Sequence, residues 1–285
     1  MVDIRFASPD EKEEIAAFMA AAFPRAKWDM TGWRAILSGR WAAPGDPYAI
    51  SVRDNGRLVG CLGLVASHRR AERQVCRVLN MTSWYLEKSL RGTGTGKAML
   101  HLLMSDPKDT ITNFTSAPGA AHAVRAAGMQ VLDAERMIWW PDAGRTALPA
   151  TKGADLDPAR LSPKDVQVLQ DHAGLDLHPV VIETPGGPCL IVLSIKQKHE
   201  DYVTYELFYC SDRALLSLHV EAIAATVLPQ TQAMFSIDGR FLSSGVKPDD
   251  VALFAVPRFY APGLMRAEQI DHLYSESVLL GLKLY

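Results

Sequence analysis

"LRGTGTGKAML", residues 90–100, is the stretch on which the rest of the chain turns. Glycines stand at 92, 94 and 96, with Arg91 ahead of them and Lys97 behind. Without a Cβ, glycine lets the backbone turn its N–H groups toward one point. The apolar run that follows, "GKAMLHLLM", reads as a helix, and a helix N-terminus presents unpaired N–H groups and a partial positive charge. Thr93 and Thr95 offer hydroxyl donors, and Arg91 and Lys97 offer full charges. The stretch is expected to hold phosphate.

Two common phosphate loops do not fit. A Walker A loop needs four residues between its first Gly and Gly-Lys-Ser/Thr. Here three residues separate Gly92 from Gly96, and Ala98 stands where the magnesium-binding hydroxyl belongs. A dinucleotide fingerprint needs G-x-G-x-x-G after a parallel strand. This loop is G-x-G-x-G, and the strand before it belongs to a run of hairpins. A nucleotide-binding enzyme has both spacings against it.

Working outward, "YAISVRDNGRLVGCLGLV" (48–65) is two apolar runs joined at Asp54-Asn55-Gly56, a hairpin signal. "CRVLNMTSWYLE" (76–87) reads as a strand with Asn80, Thr82 and Trp84 on one face and Met81, Ser83 and Tyr85 on the other. Upstream, "IRFAS" (4–8) is a short strand. A helix over 8–23 follows, with Ser8 as N-cap, Pro9 in the first turn and Glu11 closing a capping box. A second helix is expected over 32–41. Downstream come a strand at 110–117, a helix at 118–129 and a strand at 131–140. Residues 1–141 therefore read β-α-α-β-β-β-α-β-α-β.

Strand, Arg-x-x-Gly-x-Gly, helix: in this order of elements the chain resembles the GNAT (GCN5-related N-acetyltransferase) superfamily of acyl-CoA N-acyltransferases. Arg91, Gly94 and Gly96 match the fixed positions of its [Gln/Arg]-x-x-Gly-x-[Gly/Ala] motif. The likeness covers roughly residues 3–140, and "TNFTSAPGAAHAVRAAGM" is similar to the second signature, with Asn113 and Gly128-Met129 in place. The fold class implied is α/β (α+β): a GNAT-type mixed, mainly antiparallel sheet flanked by helices, followed by a second, smaller domain.

The resemblance implies that the amides of Gly92, Thr93, Gly94, Thr95, Gly96 and Lys97 hold the coenzyme A pyrophosphate, with Arg91 positioned by the motif. Leu86 and Glu87 would pair with the pantetheine arm, and Asn113 of the second signature is a further cofactor-binding position. The cosubstrate implied is acetyl-CoA or another acyl-CoA. For a general base the strand before the loop offers Glu87, Tyr85 and Ser83, while Asn80 can only position groups. Glu87 reads equally as a plain surface residue at a strand end. The tyrosine that usually protonates the departing thiolate is Val124 here. His122, Tyr85 and Ser116 are the stand-ins, although a lone histidine on a helix is commonly structural.

Residues 142–161, rich in Pro, Ala, Gly and Asp, read as a linker between a first domain (1–141) and a second (162–285). In the second, a helix opens at Ser162-Pro163, strands are expected at 189–197, 202–210 and 232–238 around a helix at 215–228, and 266–282 reads as helical or mixed. This order echoes the first half, as a diverged duplicate without a phosphate loop would. Arg258, Tyr260, His272 and Tyr274 are its candidate substrate contacts; an ordinary structural domain fits the sequence as well.

The whole chain agrees with an enzyme of this class. Its 285 residues, 48% hydrophobic and 22% charged, suffice for two globular domains. The first 141 carry 18 Lys and Arg against 14 Asp and Glu, a balance suited to an anionic ligand. No basic run interleaved with aromatics suggests nucleic acid, no apolar run approaches the ~20 residues of a membrane span, and the start is charged from residue 3, unlike a signal peptide. The four cysteines form no CxxC pair, so neither zinc nor disulfides are expected, and His68, His172 and His178 show no metal spacing. The expectation is an N-acyltransferase of reducing cytosol acting on a small-molecule amine, an amino sugar or amino acid derivative; the alternative is a non-catalytic acyl-CoA-binding protein.

Overall fold

In the computed structural model, which describes residues 2–71, 74–197 and 202–282, Asn55 and Gly56 both take positive φ, 49° and 82°. That is what a two-residue type I′ hairpin turn requires. The turn joins β2 (Ala49–Asp54) to β3 (Arg57–Ala71), which runs past the expected end at 65 and pairs along its length with β4 (Gln74–Leu86). β1 (Val2–Phe6) edges the sheet beyond β2, two residues earlier than the sequence suggested.

The capping box at Ser8 forms as expected: the Ser8 amide and hydroxyl both donate to Glu11 Oε2, at 2.6 and 2.9 Å. A 3-10 turn, Pro9–Glu11, precedes α1 (Lys12–Ala22). α2 (Met30–Leu37) starts and ends before the predicted 32–41. Asp29 caps it by accepting the Thr31 amide at 2.8 Å, and Gly39 turns the chain away at φ 75°. Ile15, Met19, Trp33, Ile36 and Leu37 bury this pair of helices on one face of β3. On the other face lie α3 (Thr95–Leu103) and α4 (Pro118–Ala126), which bury Met99, Leu100, Leu103 and Val124 against Leu62, Leu79 and Met81.

β5 is short, Thr110–Asn113, where the sequence suggested a strand to 117. Next to it lies the end of β12 (Asp250–Ala261), which pairs antiparallel with β5 from Phe259 to Ala261. The first compact unit thus comprises residues 2–132, 256–270 and 274–282, and its sheet order is β1-β2-β3-β4-β5-β12.

The second unit comprises 133–255 and 271–273. It contains most of β6 (Gln130–Trp139), then β7 (Ala150–Lys152), α5 (Pro163–Asp171), β8 (His178–Thr184), β9 (Gly187–Gln197), β10 (Val203–Cys210), α6 (Arg213–Val227) and β11 (Ala233–Asp238). Residues 142–161, read as a linker, carry β7 and two 3-10 turns of this unit. The tail at 266–282 holds only a 3-10 turn and α7 (Glu276–Leu279).

The second sheet runs β7-β8-β9-β10-β11-β6. Three antiparallel pairings are followed by one parallel pairing, β10 with β11, and a final antiparallel one, β11 with β6. The first sheet has the same succession, its parallel pair being β4 and β5. A helix links the parallel strands in each, α3 in one and α6 in the other, as parallel neighbours require. The duplication suggested by element order is therefore present in topology. It carries one exchange: β6, next after β5 and α4, completes the second sheet, and β12 completes the first. No helix among the described residues is long and apolar enough to cross a membrane.

Candidate active site

The glycine loop leaves β4 through a 3-10 turn, Lys88–Leu90. Gly92 and Gly94 have φ of 79° and 92°, and nothing lies within 4 Å of where a Cβ would point at either. Their requirement is conformational. Gly96 is different: a Cβ there would sit 3.0 Å from the Trp84 ring, so its absence lets α3 lie close on β4. None of the amides of 92 to 97 donates to a backbone carbonyl among the described residues. These are the free donors of a helix N-terminus with its leading turn, and the exposed Lys97 stands beside them. The cradle can receive an anion.

Two expectations about this loop need correction. The threonine hydroxyls do not point free: Thr93 donates to the Leu90 carbonyl at 2.8 Å and lies 2.8 Å from the Thr95 hydroxyl. They shape the loop. Arg91 likewise turns back, its Nε donating to the Leu86 carbonyl at 2.9 Å and its guanidinium stacking 5.2 Å over Tyr85. It pins the loop to the end of β4.

β4 carries a bulge. Leu62 of β3 faces Trp84, but the next residue, Gly63, faces Thr82, which leaves Ser83 as the extra residue, with φ +42°. A bulge reverses side-chain alternation beyond it. Trp84 therefore joins Met81 on the α3 face, its Nε1 donating to Met99 Sδ at 3.4 Å, whereas strict alternation had put it with Asn80 and Thr82. Tyr85 falls on the opposite face, edge-on to Phe18 and Phe23 of the α1 side. Beyond the bulge, β4 also loses its neighbour: its pairing with β5 covers only Val78–Asn80 against Thr110–Thr112. From Met81 to Leu86 no strand pairs with that edge among the described residues.

At this parting sits a carboxylate that the sequence reading passed over. Asn80 spans the last paired position, its Nδ2 donating to Thr112 Oγ1 at 3.0 Å while its Oδ1 accepts the Glu276 amide at 3.0 Å. Tyr274, in the left-handed region at φ +57° beneath the Arg69 guanidinium, turns the tail inward just before. The Glu276 side chain, 3% exposed, accepts a hydrogen bond from the Thr115 hydroxyl, lies near that of Thr82 and has no cationic partner among the described ion pairs. Burial pushes its carboxyl above the ordinary carboxylate range, against the downward pull of those two hydroxyls. The signal in the sequence is slight: one acidic residue in the otherwise apolar "LYSESVLL".

The other candidates scatter. Glu87 is held in a two-pronged ion pair with Arg57, at 2.6 and 2.8 Å, which lowers its pKa. That makes it a poor proton acceptor at the site. His122 is exposed on α4. Asn113 is buried at the end of β5, 3.8 Å from Met81 Sδ. Val124, at the tyrosine position, is fully buried. Ser116 has a buried hydroxyl with no hydrogen-bond partner among the described residues. Of the late candidates, Arg258 is buried on β12 of the first unit and Tyr260 donates to Gln130 at 3.1 Å. His272 is paired at 2.8 Å with Asp238 inside the second unit.

No protein family model matches this sequence, and no curated protein does. Solved structures match in fold. A GCN5-related N-acetyltransferase from Anabaena variabilis superposes with a TM-score of 0.58 at 12% identity, over 91% of this chain and 72% of that one. Another from Kribbella flavida gives 0.55 at 9% identity, over 91% and 70%. The fold of the chain is that of the GCN5-related N-acetyltransferases.

Proposed function

We propose that this chain, folded as a GCN5-related N-acetyltransferase, transfers an acyl group from acyl-coenzyme A to the amine of a small molecule. The observation that carries the proposal is the parting of β4 from β5 at Asn80, beside a glycine loop whose amides are free. The amides of 92 to 97, with Lys97, receive the pyrophosphate. The open edge of β4 from Met81 to Leu86 hydrogen-bonds the amide-bearing arm, and an N–H of the same edge faces the oxyanion that forms on attack. The thioester supplies the activated acyl carbon. Glu276 takes the proton that the amine must lose. Val124 has no proton to offer the departing sulfur. A thiol with an ordinary pKa of about 8.5 leaves adequately as the anion and is protonated by water.

The test uses two variants of one residue. Asn and Asp tolerate left-handed backbone better than other side chains, so Gly92→Asn and Gly92→Asp keep the turn while only the second adds a negative charge to the cradle. Calorimetry is expected to give coenzyme A binding by wild type and by Gly92→Asn, with at least roughly tenfold weaker binding by Gly92→Asp, from like charge at close range. A folded wild type that does not bind coenzyme A, or a Gly92→Asp variant that binds unchanged, overturns the reading. Binding without thiol release on any amine favours the second reading, a non-catalytic acyl-CoA binder, to which the apolar Val124 lends support.

A further inference from the structure

Building on that function, we infer that the acceptor is a monoamine with an aromatic body, seated on a face made by Phe18, Phe23, Trp28 and Tyr85. All four rings are half-buried, leaving apolar surface open beside β4. Phe18 and Phe23 meet Tyr85 edge-on, with ring centroids 5.8 and 5.9 Å away, and Phe23 stacks at 5.6 Å on the buried Trp33. Trp28 packs at 5.1 Å on the same Trp33 and lies against Gly32, where a Cβ would come within 2.5 Å of its ring. The face is thus rigidly built.

Its place follows from the bulge. Tyr85 shares the strand face of Thr82, whose hydroxyl lies near Glu276. Three residues of strand, roughly 10 Å, separate the two positions. A ring on the aromatic face and a two- or three-atom arm would bring an amine toward the carboxylate. One polar group is left for the ligand: Tyr85 is half-buried, and no described residue accepts its hydroxyl. The charges argue against a polyamine. Asp29 is used in capping α2, Glu13 is paired with Arg34, and the Arg91 cation lies over Tyr85. Of these three described carboxylates Glu276 is the one left for an amine, and one ammonium or amine is what it can serve. Edge-to-face contacts reward an aromatic ring over a polyol.

The experiment compares kcat/KM for 2-phenylethylamine, propylamine and glucosamine with acetyl-CoA, in wild type, Phe18→Leu and Phe23→Leu. The expected order is phenylethylamine first, by roughly tenfold or more over propylamine. Each leucine variant should lower the phenylethylamine value roughly tenfold while leaving propylamine and the calorimetric acetyl-CoA affinity in place. Glucosamine turned over as fast as phenylethylamine overturns the inference alone. So do folded leucine variants that leave the amine order unchanged or instead alter preference between acetyl-CoA and octanoyl-CoA. Failure of wild type to bind acetyl-CoA overturns the acyltransferase reading, and the inference with it.

Discussion

Replacing Glu276 by glutamine is expected to lower kcat/KM for amine acylation by roughly 10²- to 10³-fold, the usual contribution of a positioned general base, while acyl-CoA affinity stays as it was. Glutamine keeps the length and hydrogen-bonding capacity of the side chain, so Thr82, Thr115 and the Asn80 contact to the backbone survive. What is lost is the ability to hold a proton. The pH profile carries the same information. Burial raises the carboxyl above its ordinary range, so wild-type kcat/KM should climb with pH through a limb that lies above the ordinary carboxylate pKa of about 4.3. That limb should be missing in Glu276→Gln. Stability should move the other way. A group whose folded pKa is raised favours folding below its unfolded pKa and ceases to do so as pH rises through the folded value. At pH 8 the glutamine variant should therefore melt no lower than wild type. A kcat/KM within threefold of wild type would remove Glu276 from the chemistry.

The largest effect on stability is expected at Glu11. Its carboxylate, 6% exposed, accepts from Arg5 at 2.7 and 3.0 Å, from Arg53 at 2.7 and 2.9 Å, and from the Ser8 amide and hydroxyl. It ties β1, β2 and the start of α1 to one point. Burial alone would push this carboxyl up; the hydrogen bonds from Arg5, Ser8 and Arg53 outweigh it and hold it at about 2. A depressed pKa gives stability that is complete above the unfolded value of about 4.3 and is lost as pH falls toward 2. Removing one partner of a buried pair costs about 3–5 kcal/mol. Because Arg5 is 41% exposed and water can partly replace Glu11 there, about 2–3 kcal/mol is the better expectation for Glu11→Gln. Chemical denaturation at pH 7 checks the loss, and repetition at pH 5, 4 and 3 should show wild type falling toward the variant. Parallel curves over that range would mean the carboxylate is not what holds this corner.

What could be read from the chain and what could not differ in range. The Asn55-Gly56 turn, the Ser8–Glu11 box and the glycine loop are chemistry between near neighbours, and each formed as residues a few positions apart require. The bulge at Ser83 escaped because nothing in "MTSWY" marks an extra residue; it is set by what β3 opposite can accommodate at Gly63. Glu276 escaped for a plainer reason. It meets Asn80 across 196 positions of sequence, on a four-residue helix too short to show a period. Glu87 attracted notice by ending a strand near the loop, but Arg57, arriving from the far side of the hairpin, had already claimed it. The second sheet was half legible. Its later strands stood out, while β8 and the fate of β12 depend on pairing partners that no local pattern names.

The exchange of β6 and β12 bears on how the chain comes into being. On a ribosome, β5 emerges with its inner neighbour β4 already made, but its other edge must wait for Phe259–Ala261, about 150 residues later. At usual rates of synthesis that is on the order of ten to thirty seconds. Throughout that interval β5 presents an unpaired strand edge, the kind of surface on which chains join each other wrongly. Glu276 arrives later still. Under the proposed function, the group that handles the amine cannot take its place until both halves have been synthesised, so a nascent chain would present its coenzyme A loop long before it could use it.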